Sequence, residues 1–374
     1  MSVLLGLELS GDTITLMAVD RKGTRLSVVQ EAVSVPFIED WKVHPDERVR
    51  SVRALLQHAL EEGKIRPGSI AAIGIASTPG LVLVDAEMEP VPPRAIGWSE
   101  EEPPIPELHE RIPATLSKFP GLTRSLVAVL DIKDWLRYRW TGALATSSQF
   151  AWESGLTPGS HSPERWDPAR VDAVGLNSGQ LPPVMPGHQR VGILQEEMVR
   201  ETGLPRGTWF MAGTVPRAAR LWMACEPKSG QRIILLEKDN VTAWRVTDAK
   251  EVSPDDRNAI PAPLGDHWYV QEKGEMEDPR QGGAVDVSAI YDSAGDAGSG
   301  EWAAPAEDIR LSADFGLPSR GPALLAGVGL GWYRDMKPFW RKRCALQTLA
   351  QWMESASSKT STEDPMSPGS GAPQ

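Results

Sequence analysis

Cysteine is scarce in this sequence, with only Cys225 and Cys344 among 374 residues. Two cysteines cannot build the disulfide framework of a small secreted domain or a complete zinc ligand set. Long apolar runs are missing as well, because none approaches the ~20 residues that span a bilayer. The first residues lack a basic leader followed by an apolar segment, so we expect no signal peptide. These absences favour a cytoplasmic protein in a reducing compartment.

An excess of positive charge is also missing, since the formal net charge is -11 at pH 7. So acidic a chain is unsuited to general contact with nucleic acids or anionic membranes, and we expect neither as a partner. The six histidines are scattered without metal-ligand spacing, and no phosphate-binding P-loop or nucleophile-elbow motif occurs. The composition is otherwise that of a globular protein, with 41% hydrophobic and 24% charged residues. The length suits two domains of about 150 residues each.

The start of the chain has the clearest secondary-structure signals. Residues 3–35 contain three β-prone segments separated by two turns, which predicts a three-stranded antiparallel meander. Pro45 and the acids after it begin a helical pattern that Gly63 ends. The apolar run at 70–75 predicts a buried strand. Meander, helix and strand together predict a mixed α/β fold.

Further helices and strands alternate along the rest of the chain. Helices are predicted over 131–140, within 163–174, over 194–202 and over 216–225, and strands over 208–212, 233–236 and 241–246. Residues 281–306 are rich in Gly, Ala, Ser and Asp, which predicts a mobile linker. Residues 355–374 lack apolar periodicity and predict a disordered tail.

The turn after the first strand is a candidate phosphate and metal site. Glu8 lies near the end of the strand, where a carboxylate can hold Mg²⁺ through water. The turn Ser10-Gly11-Asp12-Thr13 can offer backbone N–H groups to phosphate oxygens. Asp12 opposes that role, because its charge would lie where a phosphate lies. An ordinary hairpin turn is the alternative interpretation, and the sequence leaves both open.

A second candidate is the junction at residues 212–216, where a strand runs into a helix. Helix N-termini bind anions, and a base placed there could deprotonate a hydroxyl group. This junction reads Ala-Gly-Thr-Val-Pro and carries no acid, histidine or lysine, which favours a structural role. The fourteen tryptophans could stack on sugars, although their scattered positions favour ordinary packing.

The order of several segments resembles the FGGY carbohydrate kinases, and xylulokinases in particular. Residues 4–12 look like that family's first strand and phosphate turn, and residues 133–142 are very similar to its Lys-Asp-Tyr-Leu…Leu-Thr-Gly helix. Further matching segments are residues 71–75, 80–85, 95–98, 202–205, 212–213 and 321–329. It is the order of these segments that makes the resemblance specific.

This resemblance implies two actin-like (ribonuclease H-like) domains with ATP and a sugar in the cleft between them. It also implies transfer of the γ-phosphate of Mg-ATP to a sugar hydroxyl, with an aspartate as the base. On this chain it implies an N-terminal domain over 1–212 and a reduced C-terminal domain of the same type over 213–354, followed by the tail.

Several positions that the family uses are changed here. The metal-organising aspartate corresponds to Glu8, and the catalytic base corresponds to Pro216, which cannot accept a proton. The nucleotide and phosphate positions correspond to Ser10, Gly11, Asp12, Thr13, Gly213, Lys238, Asp239 and Asn240. The sugar-site positions correspond to Thr78, Pro79, Trp98, Glu100 and Glu102, and Glu102 reverses the charge of an arginine. No glycine-rich adenosine segment is found between the second domain's strands and residue 321.

We expect no useful phosphoryl transfer, because the base, the sugar-binding arginine, the second phosphate turn and the adenosine segment are lost together. The predicted function is a catalytically inactive kinase homologue that acts as a binding or regulatory protein. Mg-ATP would bind weakly or not at all, and a small sugar is the expected ligand. One alternative is an active ATP-dependent kinase of xylulose or a related sugar with relocated groups. Another is a decaying gene product without a specific function.

Overall fold

The computed structural model describes residues 2–36, 43–91, 108–118, 120–121, 124–160, 162–224, 227–230, 232–237, 240–253, 256–272, 310–311, 319–334, 336, 339 and 347–348. The strands are β1 Val3–Ser10, β2 Thr13–Asp20, β3 Arg25–Ala32, β4 Ile70–Ser77, β5 Val82–Val84, β6 Ala128–Leu130, β7 Thr146–Ser147, β8 Val184–Met185, β9 Arg190–Ile193, β10 Trp209–Met211, β11 Arg232–Glu237, β12 Asn240–Asp248, β13 Ala259–Pro261, β14 His267–Gln271, β15 Arg310–Leu311 and β16 Gln347–Thr348. The helices are α1 Pro45–Glu62, α2 Leu108–Lys118, α3 Ile132–Thr141, α4 Ser148–Glu153, α5 Pro168–Ala173, α6 Glu196–Thr202, α7 Pro216–Ala224 and α8 Arg320–Gly329. Within the described ranges, no helix combines the length and the apolar character needed to cross a bilayer.

The largest sheet has six strands in the order β3-β2-β1-β4-β10-β9. β1 pairs antiparallel with β2, and β2 pairs antiparallel with β3, which confirms the predicted meander. β4 lies parallel to β1, β10 lies parallel to β4, and β9 closes the edge antiparallel to β10. The central strands β1 and β4 are buried along nearly their whole length, in keeping with their near-continuous apolar runs. The predicted mixed α/β fold is confirmed.

One face of this sheet is covered by α1 and α3. Alternate side chains of β1, such as Leu5 and Leu7, pack in one apolar core with Trp135 of α3 and with the apolar side of α1. At the start of α1, the imidazole of His44 accepts a hydrogen bond from the backbone N–H of Asp46 at 3.3 Å. This contact caps the helix, whose two ends lie where the sequence predicts them.

The other face is covered by α7 and α8, and two glycines let α8 approach closely. Gly6 of β1 and Gly74 of β4 are partners in the register of the two strands. A Cβ atom on Gly6 would overlap the carbonyl oxygen of Ser319, and one on Gly74 would overlap that of Pro322. Both positions therefore need glycine, because the first turn of α8 lies directly on the strands.

A second sheet of four antiparallel strands, in the order β11-β12-β14-β13, packs against α7. Its first two strands confirm the predicted strand pair. Trp222 of α7, Trp244 of β12 and Tyr269 of β14 are buried in one apolar core with Leu4 of β1 and Leu324 of α8. Residues on both sides of position 212 thus share a core, and the domain boundary at 212/213 stays a prediction.

The helix predicted within 163–174 is confirmed as α5, Pro168–Ala173. α5 begins only at Pro168, because the Asp167 carboxylate caps it by accepting a hydrogen bond from the N–H of Ala169 at 2.9 Å. Trp166 lies before the helix and donates its indole N–H to the carbonyl oxygen of Pro182 at 2.7 Å. The predicted linker at 281–306 and tail at 355–374 lie outside the described residues.

Candidate functional site

The carboxyl ends of β1, β4 and β10 meet at one edge of the six-stranded sheet, because these strands are parallel. Leu9 of β1 pairs with Ser77 of β4, and Thr214 bridges Ala76 just beyond β10. The first turn, the loop after β4 and the strand–helix junction therefore lie side by side. The positions gathered at this edge are Glu8, Ser10, Thr78, Pro79, Gly213 and Pro216. In open sheets with parallel strands, ligands commonly bind at such an edge.

The turn after β1 is a two-residue hairpin connection with its own internal hydrogen bond. Ser10 and Thr13 are register partners, and the Thr13 hydroxyl donates to the carbonyl oxygen of Ser10 at 3.2 Å. Gly11 has a φ of 58°, a left-handed conformation that glycine adopts without strain. Asp12 is exposed to solvent. A role of this turn in phosphate binding stays a prediction.

Glu8 lies buried beneath α7, with 1% of its surface exposed. Its Oε1 accepts hydrogen bonds from the Ser10 hydroxyl at 2.8 Å and from Arg220 Nη2 at 2.6 Å. The alternation of side chains along β1 explains this position, since Leu4, Gly6 and Glu8 share the face that α7 and α8 cover. Arg220 lies one turn after the start of α7, level with the carboxyl end of β1.

The pairing of Glu8 with Arg220 limits what this carboxylate can bind. Its second oxygen, Oε2, is buried and has no hydrogen-bond partner among the described residues. A divalent cation at Oε2 would be repelled by the neighbouring guanidinium. Across the described parts of the chain, no three His, Cys, Asp or Glu side chains cluster as a metal site requires. Beside Arg220, the Glu8 carboxylate does not fit direct coordination of Mg²⁺.

The strand–helix junction at residues 212–216 is held by backbone contacts. Gly213 has a φ of +86°, and a Cβ atom there would lie 2.6 Å from the carbonyl oxygen of Ile75, so the position requires glycine. The N–H of Thr214 donates to the Ile75 oxygen at 2.9 Å, and the N–H of Ser77 donates to the Thr214 oxygen at 3.3 Å. Pro216, which the sequence resemblance predicts to replace a catalytic base, is buried and begins α7.

The loop after β4 is tied to its neighbours through its main chain. The N–H of Thr78 donates to the carbonyl oxygen of Leu9 at 2.8 Å, and the carbonyl oxygen of Pro79 accepts a hydrogen bond from Arg111 at 3.4 Å. Asn240 begins β12, so it belongs to a paired strand. The candidate residues outside the described part of the chain are Trp98, Glu100, Glu102, Lys238 and Asp239.

Four charged side chains at the start of α3 form a fully buried network that was not among the predicted site residues: Asp131, Lys133, Asp134 and Arg137. Lys133 Nζ lies 2.6 Å from Asp131 Oδ2 and 3.1 Å from Asp134 Oδ1. Arg137 Nη2 lies 2.9 Å from Asp134 Oδ1, and the Ser77 hydroxyl donates to Asp131 Oδ2 at 2.9 Å. Two acids and two bases balance each other, which lets the network exist without solvent.

Arg137 links this network to the strand–helix junction. Its guanidinium donates hydrogen bonds to the carbonyl oxygens of Ala212 at 3.0 Å and Met211 at 3.4 Å, and also to that of Ala145. Burial raises the pKa of the Asp131 carboxyl, and the nearby Lys133 partly opposes that shift. A sequence signal does exist, because Asp131, Asp134 and Arg137 lie three residues apart and therefore share one face at the start of α3.

The loop between β8 and β9 covers the same junction. The carbonyl oxygen of Gly187 accepts a hydrogen bond from the N–H of Gly213 at 2.9 Å. A Cβ atom on Gly329 of α8 would overlap the carbonyl oxygen of His188. Burial lowers the pKa of the His188 imidazole, and a hydrogen bond with the Pro263 backbone partly opposes that shift. His188 therefore favours its neutral form in the folded protein.

No known protein-family profile matches the chain. In sequence it is 26% identical over 245 residues to the autoinducer-2 kinase of Escherichia coli, a match that covers 56% of this chain and 45% of that protein. It is 24% identical over 221 residues to YoaC of Bacillus subtilis, which is provisionally named a sugar kinase. This match covers 50% of this chain and 45% of YoaC. The chain thus spans about half the length of the curated relatives it matches.

Solved sugar kinases have the same fold. The xylulose kinase of Rhodospirillum rubrum superposes with a TM-score of 0.59 at 14% identity, covering 72% of this chain and 60% of that one. The gluconate kinase of Lactobacillus acidophilus superposes with a TM-score of 0.57 at 14% identity, covering 72% and 59%. At these sequence identities, the similarity shows a shared fold and nothing more. The predicted similarity to actin-like sugar kinases is therefore confirmed for the fold.

Proposed function

We propose that this protein is a carbohydrate-kinase homologue of the FGGY type that binds a small sugar, transfers no phosphate and acts as a binding or regulatory protein. The sequence relative YoaC, provisionally named a sugar kinase, and the structural neighbours named xylulose kinase and gluconate kinase support the class. The ion pair between Glu8 and Arg220 is the observation from which we infer that no phosphate is transferred.

Phosphoryl transfer depends on Mg²⁺ and cationic groups that neutralise the charge of the transferred phosphate. In this chain the carboxylate at the end of β1 already has its counter-charge, because Arg220 lies 2.6 Å away. Breaking a buried ion pair by removing one partner costs about 3–5 kcal/mol. Mg²⁺ at the unpartnered Oε2 would have to lie beside the charge of Arg220 or displace it against a penalty of that kind.

Pro216, at the start of the helix that carries Arg220, supports the same proposal. It begins α7 next to Gly213 and has no group that can accept a proton from a sugar hydroxyl. A general base contributes about 10²–10⁴-fold to such a reaction. The junction keeps its shape through backbone bonds, which suits a retained binding surface without the reactive group.

The sugar would bind at the carboxyl edge of β1, β4 and β10. In this proposal, Thr78 and Pro79 line one side and Gly213 the other, with Trp98, Glu100 and Glu102 as further contacts. The division into a domain over 1–212 and a reduced second domain over 213–354 belongs to the same proposal. A protein that binds a sugar without consuming it can report the sugar's concentration to a partner.

The decisive experiment combines turnover with ligand binding. ADP release is measured with Mg-ATP and a panel of xylulose, gluconate and glycerol, after the names of the structural neighbours. We expect no sugar-dependent ADP release and no shift of the melting temperature with Mg-ATP. At least one sugar should raise the melting temperature by mass action.

Glu8→Gln is the control variant for the turnover assay. Sugar-dependent ADP release that Glu8→Gln abolishes would show an active kinase and overturn the proposal. A melting temperature that no sugar of the panel changes would contradict the sugar-binding part.

A further inference from the structure

Helix α4 lies between the second, four-stranded sheet and elements that flank the six-stranded sheet, namely α3 and β5. On one side, Phe150 lies in an apolar core with Leu83 of β5, and its ring centre lies 4.8 Å from Lys133 Nζ of α3. On the other side, Gln149 and Trp152 are three residues apart, which places them on a common face of the helix. Both of these side chains bond to the second sheet and its flanking loop.

The contacts of this face are buried and directional. The Trp152 indole N–H donates to the carbonyl oxygen of Ala259 at 2.6 Å, and its ring packs edge-on against Trp268 with 4.7 Å between centroids. Gln149 Nε2 donates to the carbonyl oxygen of Ala262 at 3.1 Å. Both Gln149 and Trp152 are almost fully buried, so these bonds do not compete with water.

Two more contacts reinforce this attachment. The Arg257 guanidinium stacks 4.9 Å from the centre of the Trp152 ring and donates to the Trp152 carbonyl oxygen at 2.8 Å. The buried Ser160 hydroxyl donates to the carbonyl oxygen of Val252 at 2.9 Å. The second sheet and its loops are thus held through β13, β14 and the segments that flank them.

Helix α7 holds the second sheet against the six-stranded sheet through a separate set of contacts. It lies between the two sheets, and Trp222 shares a buried core with Trp244 of β12 and Leu4 of β1. Hinge closure needs one lobe to rotate about a few residues while the packed interior of each lobe is preserved. Rotation of the second sheet would break the bonds of Trp152 and also open the core around Trp222.

We propose that α4 and α7 fasten the two sheets into one rigid unit, so that the second sheet neither closes on the first nor unfolds separately. Ligands would then bind at the sheet edge without movement of one sheet against the other. This inference goes beyond the proposed function, and its test needs no ligand and no activity.

Hydrogen exchange of the full chain, followed by mass spectrometry, tests it. In the unmodified protein, the core amides of β12 and β14 should exchange through the same global opening as those of β1 and β4. Trp152→Ala should raise the exchange of the core amides of β1, β4, β12 and β14 by one common factor of ~100-fold or more, because core Trp truncation removes packing and a buried bond that the shared global opening breaks.

Trp166→Ala is the matched control. Trp166 also donates its indole N–H to a carbonyl oxygen, that of Pro182, but it packs on the core around β5 and β6. Its truncation should leave the exchange of the two sheets coupled. Should Trp152→Ala fail to fold, Trp152→Phe replaces it, with an expected increase of about fivefold from loss of the bond to Ala259.

Two results would overturn the inference. One is an unmodified protein whose β12 and β14 amides exchange ~10-fold or more faster than those of β1 and β4 through a separate opening. The other is a Trp152→Ala or Trp166→Ala protein in which the core amides of only one of the two sheets exchange faster.

Discussion

Among single residues, Arg220 offers the sharpest test of the candidate site. Arg220→Met leaves the Glu8 carboxylate buried without its cation, so the free energy of unfolding should fall by about 3–5 kcal/mol. Urea titration measures this change. The double variant Glu8→Gln, Arg220→Met should recover part of this lost free energy of unfolding, because neither substituted side chain leaves a buried charge without a partner. A double variant no more stable than Arg220→Met would contradict the role assigned to the pair.

His188 should make stability depend on pH near neutrality. Burial lowers the imidazole pKa from the ordinary value of 6.5 in the folded chain. As the pH falls below 6.5, the unfolded chain binds a proton that the folded chain resists. The stability from this group is therefore present above that pH and lost below it.

Urea midpoints between pH 7.5 and pH 5 check this expectation. His188→Gln should flatten the decline, whereas His58→Gln, at an exposed position of α1, should not. Parallel curves for the unmodified protein and His188→Gln would show that another group is responsible.

Among the secondary-structure elements, the close packing of α8 on β1 and β4 depends on the glycines Gly6 and Gly74. Gly74→Ala places a Cβ against the backbone oxygen of Pro322, which cannot move without shifting the helix. We expect a loss of about 1–3 kcal/mol or more, as for other overpacked cores. Gly68→Ala is the control, because a Cβ there meets nothing within 4 Å. Thermal unfolding compares the two, and equal melting temperatures would contradict the close approach.

At the scale of the whole molecule, α8 completes the core of a sheet that the chain builds from its first residues. A chain ending at residue 272 would leave Leu4 and Met17, both fully buried in the intact protein, without the helix that covers them. We expect it to lose cooperative unfolding and to bind the dye ANS. A chain ending at residue 354 lacks only the segment predicted to be disordered and should melt within about 2 °C of the full chain. A cooperative transition of the shorter chain near the full chain's melting temperature would contradict this view.

The elements near the N-terminus could be predicted because their signals are local. The meander, α1 and β4 follow from strand-forming runs, turn residues and a helix start that lie within a few residues of each other. The sugar-kinase fold could be predicted from the order of such segments. Within the segment 163–174, the start of α5 follows from a local signal of the same kind, the Asp167 cap before Pro168.

The sequence by itself determined the type of these elements and the places where ionisable groups are missing, such as Pro216. Tertiary structure alone decided that Glu8 is paired, because its partner Arg220 is 212 residues away along the chain. It also decided that Arg137 supports the junction at Ala212 and that α4 joins two sheets. Such contacts depend on which faces meet when sheets and helices pack, and local patterns carry no information about a partner so distant in sequence.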